Sequence, residues 1–192
     1  MGYDMTWNEV PEEITLAVDE AREKYYSLSA TKSSGGTTVA VDQEVIDDAY
    51  QAMRDAQRDY FRLNIWGMSI CRGLMFDFDM TYESDATTSP SYDEDHYLDD
   101  PALSSGVQDR PGIAIHKLCS NDGWLVTPVE CIGAISQWRK WCQENGHPYD
   151  FVPSITETNS QTNEEETRQI EWWQDWLRYL AEAADHGGFR VW

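Results

Sequence analysis

The sequence predicts an α+β protein in which four or five helices pack on a small, mostly antiparallel sheet. Long segments have apolar residues at three- and four-residue steps, which is the pattern of amphipathic helices. Short segments alternate or cluster apolar residues between turn formers, which is the pattern of strands. A chain of 192 residues buries ~70% of its unfolded surface in one core, so a single domain over 1–192 is expected.

The first third of the chain predicts one strand and two paired helices. Residues 2–7 alternate apolar and polar side chains, as a half-buried strand does. A helix over 11–30 has apolar residues on one face and acids on the other. Asp42 can cap a second helix, whose apolar stripe continues to Leu63. The two helices are long enough to pair as a helical hairpin.

A third helix and a long acidic loop follow. Asn64 either begins this helix or marks a bend, and the apolar residues beyond it, Trp66 included, lie on several sides and predict burial. Residues 79–111 combine many acids with turn formers, which favours a long surface loop. The spacing of its acids does not match a calcium-binding EF-hand loop.

The stretch 120–130 contains the clearest local signals in the chain. Ser-Asn-Asp-Gly at 120–123 is typical of a tight turn, and Trp-Leu-Val at 124–126 of a buried strand. Thr127, Pro128 and Glu130 form a capping box with proline at the first helical position. The sequence therefore predicts a junction at which the sheet meets a helix.

Further elements complete the predicted fold. Residues 113–118 are predicted to form a strand that pairs in a hairpin with the strand at 123–127. The helix that begins at Pro128 should stop at Asn145-Gly146, before a second loop over 146–163. Asn163 and Glu166 resemble a capping box for a last helix. Residues 189–192 predict a final strand.

The charge favours a basic protein as partner. Asp and Glu number 35 against 14 Lys and Arg, a net charge of −21, so nucleic acid and anionic membrane surfaces would be repelled. The charge alternatively serves solubility alone. The acids predicted to bind a partner are Asp77, Asp79, Asp93, Glu94, Asp95, Asp99 and Asp100.

The cysteines favour a reduced, cytoplasmic protein. The four cysteines include no CxxC pair and follow no signal peptide. No segment approaches the ~20 apolar residues needed to span a bilayer, so no membrane role is expected. No metal is expected, because neither a CxxC pair nor EF-hand spacing is present, and no cofactor is expected. The GxSxG, P-loop, GxGxxG and HExxH motifs are also missing, which disfavours the common classes of enzyme.

Two sets of residues are candidates for a site. His116, Cys119 and Asp122 are the residue types of a nucleophile, its base and an orienting group, although a turn explains the same pattern. Aromatic side chains near the junction and on the last helix could instead stack a flat ligand, such as a nucleotide, or fill the core. The predicted ligand-binding residues are Trp172, Trp176, Tyr179, Trp124 and Asn121.

Four segments resemble a group of small acidic proteins of actinobacteria and their phages. They are Gly-Tyr-Asp-Met at 2–5, Tyr-Phe-Arg-Leu-Asn-Ile-Trp-Gly-Met at 60–68, Ser-Asn-Asp-Gly-Trp-Leu-Val-Thr-Pro at 120–128, and the run 172–192 that ends in Gly-Gly-Phe-Arg-Val-Trp. The resemblance implies a bacterial or phage protein, located in the bacterial cytoplasm or, if phage-encoded, in the cytoplasm of the host. It implies no catalytic residue, because the group has no assigned activity.

Three hypotheses about function follow from the sequence. The first is a non-enzymatic acidic protein that binds a basic partner protein, with inhibition of that partner as one outcome of binding. The second is a binder of a small, nucleotide-like molecule in a pocket lined by Trp and Tyr. The third is a small hydrolase that depends on Cys119 and His116.

Overall fold

A computed structural model describes residues 2–33, 42–83, 111–158 and 164–192. This part of the chain contains helices and mainly antiparallel strands, which confirms the α+β class. The helices are α1 (Glu12–Ser33), α2 (Gln43–Ala56), α3 (Ile65–Asp77), α4 (Pro128–Asn145) and α5 (Trp173–Asp185). The strands are β1 (Gly2–Trp7), β2 (Tyr60–Asn64), β3 (Thr81–Tyr82), β4 (Ile113–Ala114), β5 (Trp124–Val126), β6 (Ser154–Thr158), β7 (Glu165–Gln169) and β8 (Phe189–Val191), and a 3-10 helix spans Ile115–Leu118.

The described residues fall into two compact units. Those of 10–60 form the hairpin unit, and those of 2–9 and 61–192 form the larger unit. In the hairpin unit α1 packs against α2, and the rings of Tyr25 and Tyr50 lie 5.4 Å apart, measured between their centroids. Asp42 accepts a hydrogen bond from the backbone N–H of Glu44 and so caps α2. The predicted helical hairpin and its cap are therefore confirmed.

The larger unit is built on a four-stranded sheet with the order β2-β1-β8-β5. β8 pairs antiparallel with both neighbours, so that Val191 faces Met5 on one side and Trp124 on the other. Met5 is fully buried and Trp7 is nearly so, while Thr6 between them is partly exposed. This alternation confirms the predicted half-buried strand over 2–7.

Helices α4 and α5 supply the large side chains of the core. The ring of Trp138 on α4 lies edge to face with that of Trp173 on α5, at 5.5 Å between centroids. Trp176 on α5 makes a similar contact with Phe189 of β8 at 5.8 Å. All four side chains are buried, and such burial contributes about 1.5–3 kcal/mol for each large apolar side chain. These contacts join both helices to the sheet.

The predicted strand over 113–118 is wrong beyond its first two residues. β4 pairs in parallel with β3, and residues 115–118 turn into the 3-10 helix instead of forming a hairpin with the strand at 124–126. A short apolar run does not distinguish a strand from a helical turn. The turn brings the Lys117 ammonium to the Glu130 carboxylate, at 2.8 Å.

The second helix ends at Ala56 rather than at Leu63. Residues 60–64 form β2 at the edge of the sheet. Aromatic residues, two of which begin this segment, are favoured in strands. The side-chain oxygen of Asn64 accepts a hydrogen bond from the N–H of Gly67 at 2.7 Å, so Asn64 begins α3. Helix α3 buries one face only, and Trp66 is 79% exposed, contrary to its predicted burial.

The second predicted loop and the second predicted capping box are also corrected. Residues 154–158 within the loop 146–163 form β6, which pairs antiparallel with β7. Glu166 lies in β7, Asn163 lies outside the described residues, and the last helix begins only at Trp173. The residues of both strands are mostly exposed, so the sequence there lacks the alternation of apolar and polar residues that predicts a strand. In the predicted loop 79–111, residues 81–82 form β3, and 84–110 lie outside the described residues.

Candidate functional site

The stretch 120–130 forms the predicted connection from strand to helix. The N–H and hydroxyl of Thr127 donate hydrogen bonds to Oε2 of Glu130 at 2.9 and 3.0 Å. The N–H of Glu130 donates in return to the Thr127 hydroxyl at 3.3 Å. Pro128 is the first residue of α4. The capping box is therefore confirmed in both directions.

Glu130 also belongs to a buried ion pair that sequence reasoning missed. Nζ of Lys117 donates to Oε2 of Glu130 at 2.8 Å, and the N–H of Ala114 donates to Oε1 at 3.3 Å. The lysine and glutamate side chains are only 3% and 1% exposed. A lysine inside an apolar run was the available signal, since lysine is rarely buried without a partner. One carboxylate thus ties β4 and the 3-10 helix to the start of α4.

The predicted catalytic residues lie beside this ion pair, in the 3-10 helix and the turn. The His116 ring meets the Trp124 ring edge to face at 4.6 Å between centroids. Burial lowers the pKa of His116, the charge of Lys117 lowers it further, and Glu130 opposes both. Asp122 is half-buried in the turn before Gly123.

The hydrogen bond of the candidate thiol does not activate it as a nucleophile. Sγ of Cys119 donates to the backbone carbonyl of Ile115 at 3.2 Å. In a catalytic Cys/His pair the thiol lies within hydrogen-bond reach of the imidazole that activates it. Cys119 is exposed, whereas Cys71, Cys131 and Cys142 are buried free thiols. Burial is the main cause that raises the pKa of Cys71 and of Cys131, which keeps both thiols protonated and unreactive.

Most of the predicted ligand-binding residues belong to the core. Trp124, Trp176 and Tyr179 are at most 4% exposed, so their rings offer no open face to a ligand. Trp172 is half-buried and packs against the same core. The side-chain amide of Asn121 donates to the carbonyl of Gly2 at 2.6 Å and so ties the turn to β1.

Two of the seven acids predicted to bind a partner lie in the described part of the chain. Asp77 is the last residue of α3, and Asp79 follows it with a left-handed φ of 57°. Both side chains are exposed. The other five, Asp93, Glu94, Asp95, Asp99 and Asp100, lie outside the described residues.

The hairpin unit displays a larger set of acids than the sequence analysis assigned to partner binding. Residues 10–29 and 42–60 contain eleven Asp and Glu and four Lys and Arg. Ten of these acids are exposed, and Asp59 is half-buried. Desolvation raises the pKa of Asp59, against smaller opposing effects of a backbone hydrogen bond and of Arg22. The periodicity of α1 had already placed acids on its outer face, but the contribution of α2 was overlooked.

The described segments contain neither a metal-binding cluster nor a membrane-spanning helix. Across residues 2–33, 42–83, 111–158 and 164–192, no three His, Cys, Asp or Glu side chains are grouped so that they could hold a metal ion. Within the same ranges, no helix is both long enough and apolar enough to cross a bilayer.

Comparison with known proteins assigns no family to this arrangement. No protein-family model, curated protein or solved structure matches the chain.

Proposed function

We propose that this chain is a non-enzymatic interaction protein that binds a basic partner protein. The observation that supports the proposal is the hairpin unit, which has eleven acids, ten of them exposed, against five cations. Such a surface attracts a cationic partner and steers its approach. The hairpin unit is accordingly the proposed binding surface.

The two alternative functions have weaker support. A Cys/His hydrolase requires the Cys119 thiol to meet a base, and its hydrogen bond goes to a backbone carbonyl instead. A nucleotide-like ligand would need an open aromatic face, and three of the four predicted rings are buried in the core. The exposed acidic surface is therefore the feature that best supports a function, namely the binding of a basic partner.

The proposal is tested by the affinity for a fluorescent oligolysine peptide, measured by anisotropy at low and at physiological salt. The hairpin variant carries Glu20→Gln, Glu23→Gln and Asp48→Asn. The matched control carries Glu165→Gln, Glu166→Gln and Glu171→Gln, exposed acids of the larger unit, so the two variants have the same net charge.

The hairpin variant should bind the peptide about tenfold more weakly than the control variant, which corresponds to about 1.4 kcal/mol. Salt should weaken binding to the unmodified protein, because it screens exposed charges. Equal losses in the two variants would mean that only total charge matters. No binding at low salt would contradict the proposed function itself.

A further inference from the structure

Three tyrosines form a connected aromatic face on the hairpin unit. The ring of Tyr25 lies 5.4 Å from that of Tyr26 on the same helix and 5.4 Å from that of Tyr50 on α2, measured between centroids. Tyr26 is 60% exposed and Tyr50 44% exposed, while Tyr25 between them is half-buried. We call these three side chains the tyrosine face. Two of its rings are open to a partner.

Acids lie beside the tyrosine face on both helices. Glu23 precedes Tyr26 by three residues and Asp47 precedes Tyr50 by three, a spacing that puts each pair on one side of its helix. Two arginines also lie within about one helical turn of the exposed tyrosines. Arg22 pairs with Asp19 at 3.3 Å, and Arg54 lies one turn after Tyr50. The hairpin unit as a whole still has more acids than cations, so the electrostatic potential around the tyrosine face is negative.

We propose that the tyrosine face binds arginine side chains of the basic partner. A guanidinium group is planar and weakly hydrated, so it can stack on a tyrosine ring while its N–H groups reach a carboxylate. Lysine forms the ion pair but lacks the planar stacking surface. The combination of open rings with acids three residues away therefore selects arginine over lysine.

A second copy of the chain fits this surface poorly. Each copy has a net charge of −21, and the surroundings of the tyrosine face are acidic, so two such faces would repel each other. A cationic segment gains from the same charges. The proposal thus names the chemistry of the partner and rests on the proposed function.

The experiment compares oligoarginine and oligolysine peptides of equal length and label, by anisotropy at low salt. The test variant is Tyr26→Leu with Tyr50→Leu, which removes both open rings and keeps apolar side chains. The first control is Tyr26→Phe with Tyr50→Phe, which keeps the rings. The second is Leu16→Ala, which removes another exposed apolar side chain of α1, 56% exposed. Far-ultraviolet circular dichroism checks that each variant is helical.

The unmodified protein should prefer oligoarginine, and the leucine variant should lose about tenfold in oligoarginine affinity with little change for oligolysine. Both controls should bind like the unmodified protein. Equal affinity for the two peptides, unchanged in the leucine variant, would overturn the arginine proposal and leave the proposed function intact. Failure to bind either peptide would overturn both.

Two further results would also overturn the arginine proposal. The first is an equal loss in the phenylalanine variant, because it would show that the hydroxyls and not the rings make the contact. The second is a dimer, detected by sedimentation, that the leucine variant abolishes, because a second copy would then occupy the face.

Discussion

Lys117 and Glu130 are the clearest case in which one residue pair holds several elements together. Both side chains are almost fully buried, and the glutamate also completes the cap of α4. Removal of one partner from such a pair leaves a charge in an apolar environment. The other partner then lacks both its counter-charge and access to water.

Lys117→Met and Glu130→Gln should each lower the free energy of unfolding by about 3–5 kcal/mol. The double variant should lose less than the sum of the two, because it removes both charges together. Urea denaturation of the four proteins in this cycle measures the difference. Additive losses would show that the pair is not coupled.

Lys140→Met provides a matched control for the buried pair. Lys140 and Glu144 lie 3.9 Å apart, with side chains 65% and 62% exposed. Exposed pairs contribute little, so this change should cost less than about 1 kcal/mol. A comparable loss at both lysines would mean that burial is not the cause.

At the scale of elements, two glycines with left-handed φ differ in the space around them. Gly188, just before β8, has a φ of 82°, and an added Cβ would lie 2.0 Å from the carbonyl oxygen of Val126 at the end of β5. Gly146, at the end of α4, has a φ of 71° and no neighbouring atom within 4 Å of an added Cβ. The first position combines backbone strain with a steric clash, and the second has strain alone.

Gly146→Ala should therefore cost about 1–2 kcal/mol, the strain of a left-handed alanine. Gly188→Ala should cost about 1–3 kcal/mol more, because the backbones of β5 and β8 must also move apart. Thermal or urea unfolding of the two variants provides the comparison. Equal costs would mean that the approach of the two strands is not what requires glycine.

The elements that sequence reasoning predicted correctly are those specified by local chemistry. The Thr127–Glu130 capping box and the Gly146 C-cap each depend on residues only a few positions apart, so both ends of α4 could be predicted from the sequence. Strands β6 and β7 could not be predicted in the same way, because their pairing places mostly polar residues on exposed faces. Each of these strands is stabilised by pairing with the other, and a pattern within one segment does not reveal that pairing.

The candidate site residues could be predicted only in part, because their burial and contacts depend on how the elements pack together. The sequence left open whether Trp176 and Tyr179 stack a ligand or fill the core, because helical spacing does not reveal how wide the buried face of α5 is. Because α5 contacts both α4 and β8, a broad arc of its side chains is buried, these two included. The acids of α1 were predictable from their periodicity, whereas the contact between Tyr25 and Tyr50 depends on the packing of two helices.

For the whole molecule, the dominant electrostatic quantity is the net charge of −21. Repulsion among exposed acids opposes the compact state. The ion pairs found on the surface of the described segments are exposed and contribute little against it. Salt should therefore stabilise the fold.

The Tm should rise when the ionic strength increases from about 0.01 to about 0.15 M, since the Debye length shortens from ~30 to ~8 Å. The expected scale is about 2–4 °C for each kcal/mol of repulsion removed, as for chains of about 150–250 residues. Scanning calorimetry in sodium chloride and in choline chloride separates screening from specific ion binding. A constant or falling Tm would contradict the prediction.

The pairing of β1 with β8 has a consequence for the protein during its synthesis. Met5 faces Val191, so the first strand of the sheet is made long before the strand that pairs with it. At ~5–20 residues per second, roughly 10–40 s separate the two on the ribosome. The helices of the hairpin unit depend on contacts closer in sequence and can form within that interval. Until β8 emerges, Met5 and Trp7 lack that strand's cover, and such transiently uncovered apolar surface promotes aggregation during folding.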